Sequence, residues 1–253
     1  MNDVLTSDQI ADLAGIGAIC KEWEADLVVI GATSLLILFG DLGRFTRDVD
    51  LTVALGLNEF ERLTARLAAL GWTSEPKWEH RWIAPRRTIV DLLPAGAELR
   101  SAGSFTWPVS QFQMSLAGFE HVFARAVEVH LKGGIPLRVA PPIVTCLLKI
   151  IAWVDDPYRR AKDLQDIRIV LRRYEHESDR LFSDAVFDAE LTDFAFANAF
   201  LLGVDMRALV NGDEARYVDL FLERLREQHH DETDFSAIGF RGRIEAFSKG
   251  FTD

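Results

Sequence analysis

Asp48 and Asp50 stand one residue apart in Arg47-Asp48-Val49-Asp50-Leu51-Thr52-Val53, downstream of a small-residue turn, Gly31-Ala32-Thr33-Ser34, that closes the apolar run Leu27–Ile30. If the first of these runs is extended, period two puts Asp48, Asp50 and Thr52 on one face and Val49, Leu51 and Val53 on the other. Two carboxylates on one face repel each other unless a cation lies between them, and their hard oxygens suit a divalent metal such as Mg2+ or Mn2+. A third carboxylate follows in Ile89-Val90-Asp91-Leu92-Leu93, where Ile89, Asp91 and Leu93 share a face. These are the parts that phosphoryl chemistry requires. Asp48, Asp50 and Asp91 would hold one or two metal ions that clamp the attacking and leaving oxygens, and Asp91 can also take the proton of an acceptor hydroxyl. The helix start at Gly31, with the Thr33 and Ser34 hydroxyls, would receive nucleotide phosphates. Lys149 and the Arg159–Lys162 cluster would add positive charge for a triphosphate.

The elements that position these groups can be read from the pattern. Thr6-Ser7-Asp8-Gln9 is a capping box that opens a first helix to about Glu24. Leu27–Ile30 reads as a buried strand, Thr33–Phe39 as a helix ended by Gly40 and Gly43, and Val49–Ala54 as a second strand. Asn58 is the expected cap of a helix running through Leu70 to Gly71. Arg81–Ala84 and Thr88–Leu93 read as strands joined by a turn at Pro85-Arg86-Arg87. Between residues 95 and 140 the strand candidates are Phe105–Pro108, Val127–Leu131 and Leu137–Val139. Helical spacing then covers Ile143–Trp153 and Tyr158–Tyr174, the latter burying Leu164, Ile167, Leu171 and Tyr174, and continues beyond Ser178, most clearly in Ala195–Leu202 and Ala215–Leu225. No internal repeat is evident.

The bulk numbers narrow the function classes. A chain of 253 residues, 49% hydrophobic and 26% charged, is an ordinary globular composition with enough material for one large domain or two small ones. Its apolar runs fall short of the roughly 20 residues of a membrane span, and residues 1–30 lack a secretory pattern, so a cytoplasmic location is expected. Cys20 and Cys146 read as buried free thiols. A net charge of −11 argues against binding nucleic acid through a broad basic surface. The densest positive cluster is Arg159, Arg160, Lys162, Arg168, Arg172 and Arg173, which reads either as a phosphate site or as a solvated face ion-paired to Asp155, Asp156, Asp163 and Asp166. Trp78, His80 and Trp82 lie near the site strands, where they would pack in the core or stack on a base. The histidines show no metal-ligand spacing.

A rival reading takes Asp48-Val49-Asp50-Leu51-Thr52 as the D-x-D-x-T signature of haloacid dehalogenase-type phosphatases, but that signature needs an apolar run directly before its first aspartate. Here the polar loop Gly43-Arg44-Phe45-Thr46-Arg47 precedes it.

Taken in order, Gly31-Ala32-Thr33-Ser34, Arg44-Phe45-Thr46-Arg47-Asp48-Val49-Asp50-Leu51 and Val90-Asp91-Leu92-Leu93-Pro94 resemble the motifs of the nucleotidyltransferase superfamily, the DNA polymerase β-like fold. Val139-Ala140-Pro141-Pro142, Leu148-Lys149-Ile150-Ile151-Ala152-Trp153 and Lys162-Asp163-Leu164-Gln165-Asp166 are similar to segments of the AbiEii/AbiGii-type toxin nucleotidyltransferases. The resemblance implies an α+β fold: a mixed sheet flanked by helices in a catalytic domain of residues 1–140, then a mainly helical domain of residues 141–253 that completes the active-site cleft. It implies Asp48, Asp50 and Asp91 as metal ligands, Gly31, Thr33, Ser34 and Lys149 as nucleotide contacts, and Asp91, Lys149 and Asp163 as catalytic, with Asp166 supporting Asp163. The implied activity moves a nucleoside monophosphate from an NTP, with Mg2+ or Mn2+, to a hydroxyl of RNA, such as a tRNA end, or of a protein. The implied setting is a toxin with an antitoxin partner and no membrane association. A small-molecule transferase of the aminoglycoside type and a non-catalytic nucleotide- or protein-binding descendant are the alternatives. Two positions depart from the pattern: Ala32 where a second glycine is common, and Asp155-Asp156 where relatives carry an arginine.

Overall fold

The computed structural model describes residues 4–44, 46–228 and 235–252. The chain divides into two compact units, residues 1–145 and 146–253.

The first unit opens on α1 (Ser7–Glu22), whose capping box forms as its spacing predicts. The Thr6 hydroxyl accepts the Gln9 backbone N–H, and the Gln9 side chain accepts that of Thr6. The buried strand β1 (Leu27–Ile30) runs directly into α2 (Gly31–Phe39), which Gly40 ends at φ 82°. β2 (Asp48–Val53) follows, then α3 (Leu57–Ala69). The cap of α3 is Gly56 rather than Asn58: Glu59 reaches back to accept the Gly56 N–H at 2.9 Å, and Asn58 falls inside the first turn. β3 (Thr73–Glu75), β4 (Trp78–Ile83) and β5 (Ile89–Pro94) come next, with the expected turn between the last two. Then come α4 (Ala97–Ala102), β6 (Ser104–Thr106), β7 (Gln113–Ser115), α5 (Phe119–Arg125), β8 (Val127–His130) and β9 (Pro136–Val139). The sequence pattern does not reveal α4, β7 or α5, which are too short to establish a period.

Seven strands form one mixed sheet in the order β3-β4-β5-β2-β1-β9-β8, and β6 pairs with β7 apart from it. β1 is antiparallel to β2 and parallel to β9, β2 is parallel to β5, and β4 is antiparallel to β5. The face carrying Val49, Leu51, Val90 and Leu92 is fully buried. Its burial fixes which face the acids take, because a slip of one residue would drive them into the core. Buried Asp12 on α1 accepts the Arg86 backbone N–H at 3.3 Å, which fastens the β4–β5 turn to that helix.

The division between the units falls within α6 (Pro142–Asp155). The second unit continues with α7 (Ala161–Arg173), α8 (Asp184–Asp188), α9 (Ala197–Leu209), α10 (Gly212–Gln228) and α11 (Phe235–Thr252). Helix α7 begins three residues later than its spacing suggests and buries Ile167, Val170 and Leu171 together with Asp163 and Asp166. Trp153 meets Phe221 edge-on at 5.4 Å in the core of this unit. Helices α9 and α11 pack backbone to backbone at two glycines. A Cβ at Gly203 would stand 2.2 Å from the Phe247 carbonyl oxygen, and one at Gly250 would stand 2.2 Å from that of Phe200. At the end of α7, Asp205 accepts the Tyr174 hydroxyl at 2.7 Å and both terminal nitrogens of Arg180. Both cysteines are free and buried, and burial pushes their thiols up to about 12. Among the described residues, no helix is long and apolar enough to cross a membrane.

Candidate active site

Strand register assembles the acids. On β2 and β5, Asp48 pairs with Ile89 and Asp50 with Asp91, so the three carboxylates occupy one face of two adjacent strands. Val49 and Leu51 lie buried on the opposite face, as period two predicts. Thr52 departs from that pattern: it is fully buried and donates its hydroxyl to the Leu93 carbonyl.

The turn after β1 is built around Asp50. Gly31 sits at φ +66°, and a Cβ added there would lie 2.1 Å from Asp50 Oδ2 and 2.8 Å from its Cγ. Glycine is therefore required twice, for its backbone conformation and for the space the carboxylate fills. The N-cap residue of α2, Ile30, has no side chain that can cap the helix. Thr33 and Ser34, expected to offer hydroxyls to phosphate, are buried and spend them inside the protein. Thr33 donates to the Asp48 carbonyl at 3.0 Å; Ser34 bonds the Gly31 carbonyl at 2.7 Å and lies 2.8 Å from the Thr145 hydroxyl. In this arrangement Thr33 ties the first turn of α2 to the strand that carries the acids.

One residue at the site is absent from the sequence reading. Arg81 on β4 stands opposite Asp91. Its Nε donates to Asp91 Oδ1 at 2.7 Å, and its Nη2 donates both to Asp91 Oδ2 at 2.7 Å and to Asp48 Oδ2 at 2.8 Å. The bidentate fork is the strong form of the carboxylate pair. Its hydrogen bonds to Asp91 raise the guanidinium pKa; burial opposes this, and the charges of Asp91, Asp48 and Asp50 add to the rise. Alternation along β4 is the signal that finds it: Trp82 is buried opposite Val90, which turns Arg81 to the acidic face. Trp78 remains half exposed beside His80.

The three carboxylates offer the hard anionic oxygens that Mg2+ or Mn2+ prefers, so the donor chemistry fits a divalent ion. The spacing is another matter. Among the described residues, no group of three acidic, histidine or cysteine side chains is gathered closely enough to hold a metal ion. Asp48 and Asp91 converge on a guanidinium instead.

In the second unit, Lys149 on α6 lies between two acids of α7, with Nζ 2.8 Å from Asp163 Oδ1 and 2.6 Å from Asp166 Oδ2. The three-residue spacing puts both acids on one helix face. Burial alone would lower the Lys149 pKa, but the two carboxylates outweigh it and hold the amine charged. The basic cluster is partly engaged: Arg159 pairs with Asp156, Arg160 lies 3.9 Å from Asp163, and Arg168 stacks on Phe240.

A family model described as "Nucleotidyl transferase AbiEii toxin, Type IV TA system" matches residues 16–251. No curated protein matches the chain. Similar solved structures include the antibiotic-resistance factor ANT(2'')-Ia, at 16% identity over 65% of this chain and 83% of that one, with a TM-score of 0.43. An antigenic nucleotidyltransferase-like protein from Paracoccidioides brasiliensis is 16% identical over 65% of this chain and 76% of its own, with a TM-score of 0.44. The lincosamide antibiotic adenylyltransferase LnuA is 15% identical over 66% and 98%, with a TM-score of 0.42.

Proposed function

We propose that this chain, which belongs to the AbiEii nucleotidyl transferase toxin family, moves a nucleoside monophosphate from an NTP to an acceptor hydroxyl on RNA or protein. It acts in this reading as the growth-inhibiting toxin of a two-gene module whose other product is an antitoxin. The observation that carries the chemistry is the set Asp48, Asp50 and Asp91 on one face of two adjacent strands, with Gly31 shaped around Asp50.

In the reaction the acceptor oxygen forms a bond to the α-phosphorus, the bond to the bridging oxygen breaks, and pyrophosphate leaves. A divalent cation held by Asp48, Asp50 and Asp91 would supply charge neutralisation for the oxygens of that displacement. Asp91 is the base: it takes the proton that the acceptor hydroxyl gives up. The first turn of α2, whose N-cap residue Ile30 offers no side-chain acceptor, carries the backbone N–H groups that would face phosphate oxygens. Thr33 holds that turn in register with Asp48. Lys149, Asp163 and Asp166 enter this reading through the family resemblance.

Induced expression tests the toxin reading. Wild type is expected to arrest growth and Asp48→Ala, at equal protein level, to leave growth unaffected. Arrest by both, or by neither, would contradict it.

A further inference from the structure

We propose that Arg81 is a resident counter-ion that competes with the divalent metal for Asp48 and Asp91, so that metal binds only as the guanidinium withdraws. The inference rests on the metal-dependent reading above and adds to it a residue that sets metal affinity.

One nitrogen, Arg81 Nη2, sits within 2.8 Å of Asp48 Oδ2 and 2.7 Å of Asp91 Oδ2, which makes it the bridge between the two carboxylates. A magnesium ion binds carboxylate oxygens at about 2.0–2.1 Å and demands near-ideal octahedral geometry. A cation shared by the same two oxygens cannot coexist with a guanidinium nitrogen already placed between them. Like charge adds to the steric conflict.

The pairing is also built rather than incidental. The β4–β5 register sets Arg81 directly across from Asp91. The turn between these strands is tied to buried Asp12, and Trp82 anchors the opposite face of β4 in the core. Asp91 and Arg81 are the better shielded members, with side chains 13% and 30% exposed, and Asp48 is the more open at 39%. The Arg81–Asp48 contact, a single bond to the most exposed of the three, is the one that yields first. A long, flexible side chain on the penultimate strand of the sheet can leave without moving the backbone that carries the acids.

Mn2+ alone, titrated into the full chain by calorimetry, reads this competition without activity. Arg81→Met keeps an unbranched, flexible stem and removes the charge, and is expected to bind Mn2+ at least tenfold more tightly than wild type. Arg81→Lys keeps the charge and is expected to stay within about threefold of wild type. Asp91→Asn is expected to weaken binding. If Arg81→Met does not fold by circular dichroism, Arg81→Gln carries the same expectation. Equal or weaker binding by the neutral variant, with Asp91→Asn still weaker than wild type, would overturn the role of Arg81 and leave the metal site standing. No Mn2+ binding by any variant would overturn the metal-dependent reading, and the inference with it.

Discussion

A single methyl group at position 31 would reach the Asp50 carboxylate. The Gly31→Ala side chain would sit on Asp50 Oδ2 in a backbone conformation that alanine rarely adopts, so the carboxylate must move. Displacements near 1 Å at a reacting centre cost about 100-fold in rate, and steady-state assay of Gly31→Ala should show a loss of that order or greater while circular dichroism stays native. A second prediction belongs to Asp205. Burial raises its pKa, but the hydrogen bonds from Arg180 and Tyr174 and the Arg180 charge outweigh this and hold it below the usual carboxylate range. A depressed folded-state pKa contributes stability that is present above the unfolded value and lost as pH falls through the folded one. Urea denaturation should therefore find Asp205→Asn less stable than wild type at pH 7, with the gap narrowing below about pH 4. The acids of β2 and β5 are legible in the sequence because period two is local. Arg81 is not legible in the same way, since its partner is decided by which strand lies beside β5.

At the scale of elements, local chemistry decides which helix boundaries the sequence marks. The Thr6–Gln9 box marks the start of α1 because both hydrogen bonds lie within four residues. At α3 the Glu59 side chain bonding back to Gly56 outcompetes the better intrinsic cap, Asn58. The junction from β1 to α2 does more than connect: Gly31 and Thr33 join a helix start to the acidic strand by close contact and by one hydrogen bond. In the second unit, α9 and α11 approach through Gly203 and Gly250, a feature that apolar periodicity cannot register because glycine adds nothing to it. Gly203→Ala would set a methyl group against the Phe247 carbonyl and should destabilise the protein by about 1–3 kcal/mol, the usual cost of overpacking. An unchanged urea midpoint would show that the helices separate at no cost.

At the scale of the molecule, the sheet order is the part least accessible to sequence. Pairing β1 with β9 joins segments more than 100 residues apart, and the parallel β2–β5 pair bridges an intervening helix and two strands. The resemblance to nucleotidyltransferases supplied the α+β architecture that periodicity alone left open. The net charge of −11 confines any recognition of RNA to a local patch, and several arginines after Asp155 are already engaged with carboxylates or an aromatic ring. We propose that the acids of β2 and β5 catalyse nucleotidyl transfer. The most direct test incubates wild type and Asp91→Asn with each α-labelled NTP, Mg2+, total RNA and cell protein, and follows the label. Wild type is expected to transfer label from at least one NTP with release of pyrophosphate, and Asp91→Asn to lose at least 100-fold of that rate. No transfer from any NTP, or full activity in Asp91→Asn, would contradict it.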